Sequence, residues 1–358
     1  MNILVTNVPA VYRIDLYERL GKSGWKIFFY ARNASELEYC SDNRTLSFPF
    51  EDVTLPFIFL RMVLLQPEVV VCINASPITL LCGIYSWLFR KRFVIWWAGT
   101  DLSERHAGLL KRIFRRFVFR LADAFIAYSE HAGSYLSKMG VSNQKVTVLG
   151  NMTFDPAGFR SRVDHERAKR TSHPPTLLSV ANLIERKNHI FLLRVFAELR
   201  KKFPELRLVI AGEGPERQRL EHMIREMDLK GVELRGHVHR DEMPALFAEA
   251  DVFVHPATMD QWPQSLNEAM SAGVPVVVSP QSGVSQTLLI SGKDLLLPQL
   301  TINSFVNSVS ILLMDSEFKA RIILAAKLKV ADLFCISVKQ ILNIGNTHNL
   351  TEPSQESM

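Results

Sequence analysis

The sequence predicts an α/β protein with two successive domains, each built on an open parallel β-sheet. Short, fully apolar runs, typical of strands buried on both faces, alternate with longer helix-like runs. The alternation lapses once, in the polar and basic segment 154–175, and then resumes. The length of 358 residues also suits two domains. We therefore expect a first domain over 1–160, an interdomain linker at the lapse, a second domain over 161–345, and a cleft between them.

The first half supplies six predicted strands separated by helices. The strands are predicted at 3–5, 26–30, 69–73, 93–97, 124–128 and 146–149. The helices are predicted at 15–20, 56–65, 80–89 and 109–121. Because these strands are apolar on both sides, helices should cover the sheet on both of its faces.

The second half repeats the pattern. Its strands are predicted at 176–180, 207–211, 232–234, 252–254 and 274–278. An amphipathic segment at 333–344 is predicted to form the last helix. Residues 346–358 are rich in Asn, Thr, Ser and Glu, and we expect this tail to be disordered.

The charge and the hydropathy pattern limit the class of partner. A net charge of +6 favours a partner that carries phosphate, such as a nucleotide, a lipid pyrophosphate or an anionic membrane. Nucleic acid is not predicted, because no helix-turn-helix, zinc or RNA-binding pattern accompanies the charge. The apolar region 55–73 is interrupted by Arg61 and Glu68, so no spanning helix is predicted. The chain begins on a strand-like run without a charged leader, and we expect a cytoplasmic protein.

Two carboxylates eight positions apart mark the segment between two apolar runs. Asp260 follows the strand-like run 251–256, and Glu268 lies in the first turns of a short helix before the next run. This order places both side chains near the carboxyl edge of a parallel sheet, where open α/β folds bind ligands. We predict that Ser265 caps the helix and that Gly273 ends it. For either carboxylate alone, an ordinary solvated side chain is the alternative.

A basic turn opens the second domain. The predicted strand 176–180 runs into a turn that carries Asn182, Arg186 and Lys187, and a helix follows. A helix start of this kind offers backbone N–H groups and a favourable dipole to an anion. Lys187 would add a point charge to a bound diphosphate, and Arg186 would grip it bidentately. The alternative is two solvated basic residues on a loop.

A Gly-x-Gly turn follows the next predicted strand, at Gly212 and Gly214. Because the third glycine of the dinucleotide-binding pattern is absent, this motif is weak evidence for a cofactor. A tight strand-to-helix turn is an equally good interpretation. The dinucleotide fingerprint is missing at both domain starts, which argues against an NAD-dependent oxidoreductase.

With these motifs, the chain resembles the retaining glycosyltransferases of family 4, which have the GT-B fold of two Rossmann-like domains facing a cleft. The likeness is strongest over 179–283. It implies that Glu268 holds the ribose hydroxyls of a nucleotide, that Asp260 faces the transferred sugar and that Lys187 binds the diphosphate. It also implies that the last helix, predicted at 333–344, returns to the first domain.

The resemblance implies catalytic roles for a few residues and donor contacts for a wider set. The catalytic residues are Asp260, Lys187 and Glu268. The donor-binding residues are Asn182, Arg186, Lys187, Gly212, Gly214, His237, Ser265, Leu266 and Glu268. The chain departs from the family where Asp260 replaces the usual Glu and Asn182 the usual Arg, and we expect Arg186 to compensate. On its residues alone, His237 is more typical of a structural or solvated histidine.

The first domain carries fewer signals. Its loop 7–13 lacks the glycine pair of the family and resembles the Pro-x-x-Tyr-Arg loop of a subset of relatives. We predict that Arg13 and Asp101 lie on the acceptor side of the cleft. An ordinary surface arginine is the alternative for Arg13.

Two basic and aromatic segments, 87–92 and 111–120, indicate contact with a membrane. One helical face is predicted to carry Arg112, Arg115, Arg116 and Arg120. Such a helix would dock peripherally on the anionic inner face of the plasma membrane, where a lipid-linked acceptor lies. The alternative is a helix that covers the sheet and turns a solvated basic face outward.

The predicted function, as the resemblance implies, is retaining transfer of a sugar from a UDP- or GDP-sugar to a hydroxyl acceptor. A lipid-linked or cell-surface polysaccharide precursor is the expected acceptor. No cofactor is expected beyond the nucleotide-sugar substrate. No metal is expected, because no Asp-x-Asp pair accompanies His or Cys at ligand spacing. Two alternatives stay open: a non-catalytic subunit that binds a sugar nucleotide or a glycan, and a GT-B epimerase.

Overall fold

The computed structural model describes residues 1–7, 11–30, 50–170, 173–284 and 288–345, and two parallel β-sheets organise them. The first sheet contains β1 (Asn2–Thr6), β2 (Trp25–Phe29), β3 (Phe50–Asp52), β4 (Val69–Ile73), β5 (Arg92–Trp97), β6 (Ala124–Ala127) and β7 (Val146–Val148). Its strands lie in the order β3-β2-β1-β4-β5-β6-β7, and each neighbouring pair is parallel. The six predicted strands are confirmed, and β3 was not predicted, because a single apolar residue precedes its two acidic ones.

Helices cover both faces of the first sheet. They are α1 (Ile14–Lys22), α2 (Leu55–Leu65), α3 (Pro77–Leu88), α4 (Leu109–Arg120) and α5 (Glu130–Lys138). Successive strand residues point to opposite faces, so Leu4 and Val71 pack in the core beneath α1. Val5 and Cys72 pack in the other core, beneath α2, α3 and α4. This arrangement buries the fully apolar strands on both sides.

The second sheet contains β8 (Thr176–Val180), β9 (Arg207–Ala211), β10 (Val232–Gly236), β11 (Val252–His255) and β12 (Val276–Val278). Its order is β10-β9-β8-β11-β12, again with parallel pairing. The helices of this domain are α7 (His189–Lys202), α8 (Arg217–Glu226), α9 (Met243–Ala248), α10 (Gln264–Ala272), α11 (Ile302–Met314) and α12 (Ser316–Gly345). The fold is therefore α/β with two parallel-sheet domains, as predicted.

The segment predicted as a linker contains a helix, α6 (Pro156–Ala168). Asp155 begins it by accepting a hydrogen bond from the Ala157 N–H at 3.1 Å. Its buried residues are only Pro156, Phe159 and Val163, so the segment is mostly polar in the sequence. The sequence analysis predicted no helix in this segment, and the predicted boundary between 160 and 161 falls inside the helix.

The last described helix, α12, is longer than predicted and joins the two domains. Its first half packs on the second domain, where Ile322 is in the core. Its second half lies on the first domain: Ser337 donates to the Leu149 carbonyl at 3.3 Å, and Arg19 stacks on the Phe334 ring at 4.6 Å. The tail at 346–358 lies outside the described residues.

Each sheet reverses its strand order at one place, and this positions a site. In the second sheet, the chain moves outward from β8 to β10 and then returns to place β11 on the other side of β8. In the first sheet the same reversal occurs between the neighbouring strands β1 and β4. At such a place, which we call the switch point, the loops that follow the two neighbouring strands diverge and leave a crevice, the usual ligand site of open α/β folds. None of the described helices combines the length and apolar character that a bilayer-crossing segment needs.

Candidate functional site

The switch point of the second sheet, where β8 and β11 lie side by side, brings together residues that are far apart in the sequence. Arg186 and Lys187 lie in a short 3₁₀ turn that follows β8. His255 ends β11, and Asp260 lies in the loop that follows it. Because both loops leave the carboxyl edge at adjacent strands, basic and acidic side chains meet there.

Asp260 is the centre of this cluster. Lys187 Nζ and His255 Nε2 both contact its Oδ2 oxygen, the latter at 3.1 Å, and Lys187 forms an ion pair with it. Arg186 lies further out, with Nη1 3.9 Å from Oδ1, and donates to the Met259 carbonyl at 3.0 Å. Lys187 and Asp260 are mostly buried, whereas Arg186 is partly exposed. The carboxylate is therefore held by Lys187 and His255 and has little contact with solvent.

The cluster keeps Asp260 ionised. Burial alone would raise the pKa of Asp260, but the hydrogen bond from His255 and the charge of Lys187 lower it well below its usual range. Burial lowers the pKa of Lys187 below its usual value, and the charge of Asp260 opposes this shift. The pair is thus a buried carboxylate and a buried ammonium that stabilise each other's charge.

Two buried histidines support the cluster. Burial lowers the pKa of His255, so its ring is neutral near pH 7, and because a carboxylate only accepts, Nε2 carries the proton. Its Nδ1 has no hydrogen-bond partner among the described residues. His189, the first residue of α7, is also buried, and burial, followed by the charges of His255 and Lys187, lowers its pKa to about 3.

The loop that carries Asp260 is held by backbone contacts. The Thr258 N–H donates to the Arg186 carbonyl at 2.9 Å, which ties the two loops of the switch point together. Gly283 adopts φ +67°, and a Cβ there would stand 2.4 Å from the Asp260 carbonyl oxygen. Only glycine fits this close approach.

The two glycines predicted to bind the donor lie against the basic turn. A Cβ on Gly212 would stand 2.0 Å from the Ala181 carbonyl oxygen, and one on Gly214 would stand 2.4 Å from that of Leu183. The Leu183 N–H also donates to the Glu213 carbonyl at 2.8 Å. These glycines therefore allow the loop after β9 to pack on the loop after β8, so they shape the crevice through backbone contact.

Helix α10 begins beside this crevice. The prediction that Ser265 caps it was wrong: Pro263 is at the N-cap position, and Ser265 Oγ donates to the Val180 carbonyl at 2.8 Å. Ser265 thus ties the start of α10 to the end of β8. Leu266 is fully buried in the core, and Gly273 ends the helix at φ +71°, as predicted.

Glu268 lies on α10 and is only partly exposed. Burial raises its pKa to about 7, and the charge of Arg240 opposes the rise. Arg240 Nη2 lies 3.5 Å from Asp15 Oδ2 of the first domain. The carboxylate of Glu268 therefore titrates close to neutral pH, at a place where the two domains meet.

The floor of the cleft is made by contacts between the domains. Asn267 Nδ2 donates to the Asn151 carbonyl at 3.0 Å, and Gln264 Nε2 donates to the same oxygen at 3.1 Å. Gln261 Nε2 lies 3.4 Å from Ser103 Oγ. Asn151 follows β7, so the end of the first sheet and the start of α10 are held together.

Other predicted site residues lie apart from this cluster. Asn182 is exposed on the basic turn, and His237 is exposed after β10 with its ring 5.2 Å from that of His239. Asp101 is exposed in the first domain and pairs with Lys138. No contact joins these three side chains to Asp260.

Arg13 lies at the carboxyl edge of the first sheet and is buried, contrary to the alternative of a surface arginine. Its guanidinium lies 5.1 Å from the Tyr12 ring and 5.1 Å from the Trp96 ring, and Nη2 donates to the Tyr128 hydroxyl. Burial opposes the charge, but the oxygens of Tyr12, Tyr128 and Tyr17 raise the pKa of Arg13 overall. The arginine is therefore a buried cation in an aromatic setting.

Several residues of the site were missed in the sequence. His255, His189 and Asn267 received no predicted role. The available signal for His255 was its place as a polar residue at the end of an apolar strand. In the part of the chain that the structure describes, no group of three or more His, Cys, Asp or Glu side chains is placed to hold a metal.

Comparison with known families identifies this architecture. The family model "Glycosyl transferases group 1" matches residues 161–329, and the model "Glycosyltransferase Family 4" matches residues 10–153. Together they span most of both domains. The chain belongs to the GT-B glycosyltransferases that these two models describe.

The individual relatives match the chain at low sequence identity and over part of its length. The chain is 29% identical over 208 residues to the "Putative colanic acid biosynthesis glycosyltransferase WcaL" of Escherichia coli (strain K12), which covers 56% of this chain and 50% of that protein. It is 31% identical over 212 residues to the "Putative glycosyltransferase EpsF" of Bacillus subtilis (strain 168), covering 56% and 52%. The chain thus spans about half the length of these curated relatives.

A solved structure shares the whole fold. The crystal structure of Anabaena Alr3699/HepE in complex with UDP superposes with a TM-score of 0.79 at 18% identity, covering 96% of this chain and 98% of that one. At this identity the likeness shows the fold. Both domains and their relative arrangement are therefore shared with a GT-B protein.

Proposed function

We propose that the chain is a retaining glycosyltransferase that moves a sugar from a nucleoside diphosphate sugar to a hydroxyl acceptor. The observation that carries this proposal is the cluster of Lys187, Asp260 and His255 at the switch point of the second sheet. A cation beside a helix start suits a diphosphate, and a fixed carboxylate suits sugar hydroxyls. We also propose that the carboxylate of Glu268, on α10, accepts hydrogen bonds from the ribose hydroxyls of the nucleotide.

The relatives support this assignment of ligand class. The Anabaena protein was solved with UDP and also with UDP-glucose. WcaL and EpsF are named as glycosyltransferases.

In the proposed reaction, the donor's diphosphate lies at the start of α7. Lys187 leaves Asp260 for the diphosphate and, with Arg186, stabilises the negative charge that develops as the glycosidic bond breaks. A phosphate oxygen of the leaving group takes the proton of the acceptor hydroxyl, whose oxygen forms the new bond on the same face of the sugar. The anomeric configuration is thereby retained, and Asp260, positioned by His255, holds the sugar side of the site.

Binding of a panel of UDP-, GDP- and dTDP-sugars tests the donor class. We expect one of them to raise the melting temperature of the native protein by mass action and to fail with Glu268→Ala. Glu226→Ala, which removes an exposed carboxylate on α8, is the matched control and should respond as the native protein does. The proposed donor site is wrong if no sugar nucleotide raises the melting temperature of the native protein. It is also wrong if a sugar nucleotide stabilises Glu268→Ala as much as it stabilises Glu226→Ala.

We propose that the transfer needs no metal, because Lys187, Arg186 and the start of α7 supply the positive charge at the diphosphate. Activity should persist after treatment with a chelator. Complete loss of activity, with recovery on adding a divalent cation, would contradict this part of the proposal.

A lipid-linked acceptor is proposed from one face of the first domain. Helices α2, α3 and α4 lie side by side on the same core. Their outer surface exposes large apolar side chains, among them Trp87 (69%) and Leu110 (83%). These three helices carry no Asp or Glu. Their exposed cations are Arg61, Lys111, Arg112, Arg116 and Arg120, and Arg90 is exposed just after α3. An apolar surface that also carries cations suits an anionic bilayer.

We call the outer surface of α2, α3 and α4 the docking face. Its residues differ in part from those that the sequence predicted. Arg115, predicted to lie on the basic face, instead turns inward and pairs with Glu104 at 2.7 Å. Ile113 and Phe117 are exposed, which favours docking over the alternative of a solvated basic face. Helix α2 adds Phe57 and Leu64, which the sequence analysis did not include.

Co-sedimentation with lipid vesicles tests this face. We expect binding to vesicles rich in phosphatidylglycerol, weak binding to phosphatidylcholine vesicles, and loss of binding in Trp87→Ser/Leu110→Ser. Leu324→Ser/Leu328→Ser, two exposed leucines on α12, is the matched control. Equal binding by both double variants would contradict the proposed face.

A further inference from the structure

A basic cavity in the first domain lies between the ends of α4 and α5. Its volume is about 440 Å³, which is within the range of small-ligand sites. Its cationic lining residues are Arg116 and Arg120 of α4, Lys138 of α5 and Lys145, which precedes β7. None of the described residues that line it is acidic. The cavity therefore concentrates positive charge and suits an anionic group.

The remaining walls of the cavity are largely apolar. Phe119 and Phe125 line it and belong to the buried core of the first domain. Met139 and Val141 also line it and are half-buried. The cations thus surround an apolar hollow, as in a small-molecule site, and do not lie on a flat helix surface.

The charges of the cavity are only partly compensated. Lys138 pairs with Asp101, and Lys145 Nζ donates to a backbone carbonyl at 3.1 Å. Among the described residues, no carboxylate pairs with Arg116 or Arg120. Cations in the last turn of a helix interact favourably with its dipole, which accounts for Arg120 and Lys138 but not for Arg116, one turn earlier.

The cavity lies at the opposite edge of the sheet from the cleft. Each helix that connects parallel strands returns the chain to the amino edge, so α4 and α5 end there, just before β6 and β7. The switch point between β1 and β4 is at the carboxyl edge. A ligand in the cavity is therefore separated from the cleft by about the length of a strand, roughly 13 Å for the four residues of β6.

The cavity adjoins the docking face. Arg116 and Arg120 line the cavity and are also exposed cations of that face. Ile113 and Phe117, on the same helix, are exposed apolar residues of the face. A bilayer that contacts these apolar side chains brings its headgroups to the two arginines. This continuity favours a lipid headgroup over a free phosphate as the occupant.

We propose that this cavity binds the phosphate of an anionic lipid headgroup, so that the docking face holds a lipid at a defined place. The guanidinium groups of Arg116 and Arg120 donate to the phosphate oxygens, and Lys145 adds a point charge. The apolar walls accept the carbon atoms of a glycerol headgroup. The inference rests on the proposed docking face, whereas donor binding and sugar transfer in the cleft do not depend on it.

Co-sedimentation with phosphatidylglycerol vesicles tests the site with two matched double variants of α4. Arg116→Gln/Arg120→Gln removes two cations of the cavity, and Lys111→Gln/Arg112→Gln removes two cations of the same helix that do not line it. All four side chains are exposed, so both variants should fold. Each variant loses two surface charges and should bind more weakly than the native protein. The cavity variant should bind roughly tenfold more weakly than the control, because it also loses charged hydrogen bonds to the phosphate.

Equal binding by these two double variants would overturn the inference, because surface charge alone would then explain the binding. That result would leave the docking face intact, since Trp87→Ser/Leu110→Ser tests the face separately. Stabilisation by the sugar nucleotide should be the same in both variants, which keeps the test independent of the proposed donor site. If the native protein binds no phosphatidylglycerol vesicles, the docking face and this inference are both wrong.

Titration with glycerol 1-phosphate, followed by the melting temperature, separates a lipid from a free phosphate compound. We expect this soluble headgroup to stabilise the native protein and Lys111→Gln/Arg112→Gln but not Arg116→Gln/Arg120→Gln. The inference requires this result together with the difference in vesicle binding. The same result with equal vesicle binding would assign the cavity to a free phosphate compound and overturn the lipid assignment. No stabilisation of the native protein would overturn the phosphate site itself.

Discussion

Lys187 and Asp260 form an ion pair, and the proposed reaction places Lys187 on the diphosphate and Asp260 on the sugar. In that reaction, donor binding would separate them. After this exchange, Asp260 keeps the hydrogen bond from His255 at 3.1 Å, and Lys187 gains the charge of the phosphate. The ion pair leaves neither the buried ammonium of Lys187 nor the buried carboxylate of Asp260 without a counter-charge.

Replacing Lys187 should weaken donor binding. In Lys187→Met, loss of a charged hydrogen bond to the diphosphate should reduce donor affinity by about 1.5–3 kcal/mol, roughly tenfold to a hundredfold. Isothermal titration with the donor found in the binding panel measures this. Lys201→Met, which removes an exposed lysine paired with Glu198 on α7, is the control and should bind normally. Unchanged affinity in Lys187→Met would place the diphosphate elsewhere.

Glu268 should make stability depend on pH near neutrality. Its pKa is raised from 4.5 to about 7 in the folded protein, mainly by burial. Between these two values the folded state holds a proton that the unfolded state has lost, so this contribution to stability falls as pH rises through the window. Glu268→Gln should abolish this decrease in stability with rising pH, and above pH 7 it should be more stable than the native protein. Melting temperatures from pH 5 to pH 8 for both proteins measure it, and parallel curves would contradict the raised pKa.

The sequence predicted the strands well and therefore predicted which loops share an edge. The apolar runs placed 176–180 and 252–254 as strands, and the structure has β8 and β11 there. Because parallel strands bring their carboxyl ends to one edge, Lys187 and Asp260 were both expected near the cleft. Helix α6 was missed, because its buried face consists only of Pro156, Phe159 and Val163 within a charged segment.

The contacts inside the site could not be predicted in the same way. Strand patterns give the edge of the sheet at which a residue lies, but not the direction of a side chain in a loop. The ion pair of Lys187 with Asp260 and the contact of His255 depend on the backbone contact between Thr258 and Arg186, which no motif encodes. The burial of Arg13 likewise depends on Trp96 and Tyr128, distant in sequence.

His255 should act by positioning Asp260 rather than by touching the donor. His255→Leu removes the hydrogen bond and should lower turnover roughly tenfold to a hundredfold, because a carboxylate displaced by about 1 Å no longer fits the sugar. Donor affinity should change little. His255→Gln keeps an N–H donor and should recover part of the turnover. His222→Leu is the control: this histidine is exposed on α8, outside the site, so turnover should stay near normal.

Gly212 should tolerate no side chain. In Gly212→Ala, the new Cβ would lie 2.0 Å from the Ala181 carbonyl oxygen, so the loops after β8 and β9 must separate. We expect a loss of several kcal/mol in the free energy of unfolding and loss of donor binding. Gly24→Ala is the matched control, because Gly24 also has positive φ (+81°) but nothing lies within 4 Å of its Cβ position. That variant should lose only about 1 kcal/mol, from backbone strain alone, and bind the donor normally. Denaturant titration of both variants measures the difference, and equal losses would show that the close approach of the two loops is not what requires glycine at 212.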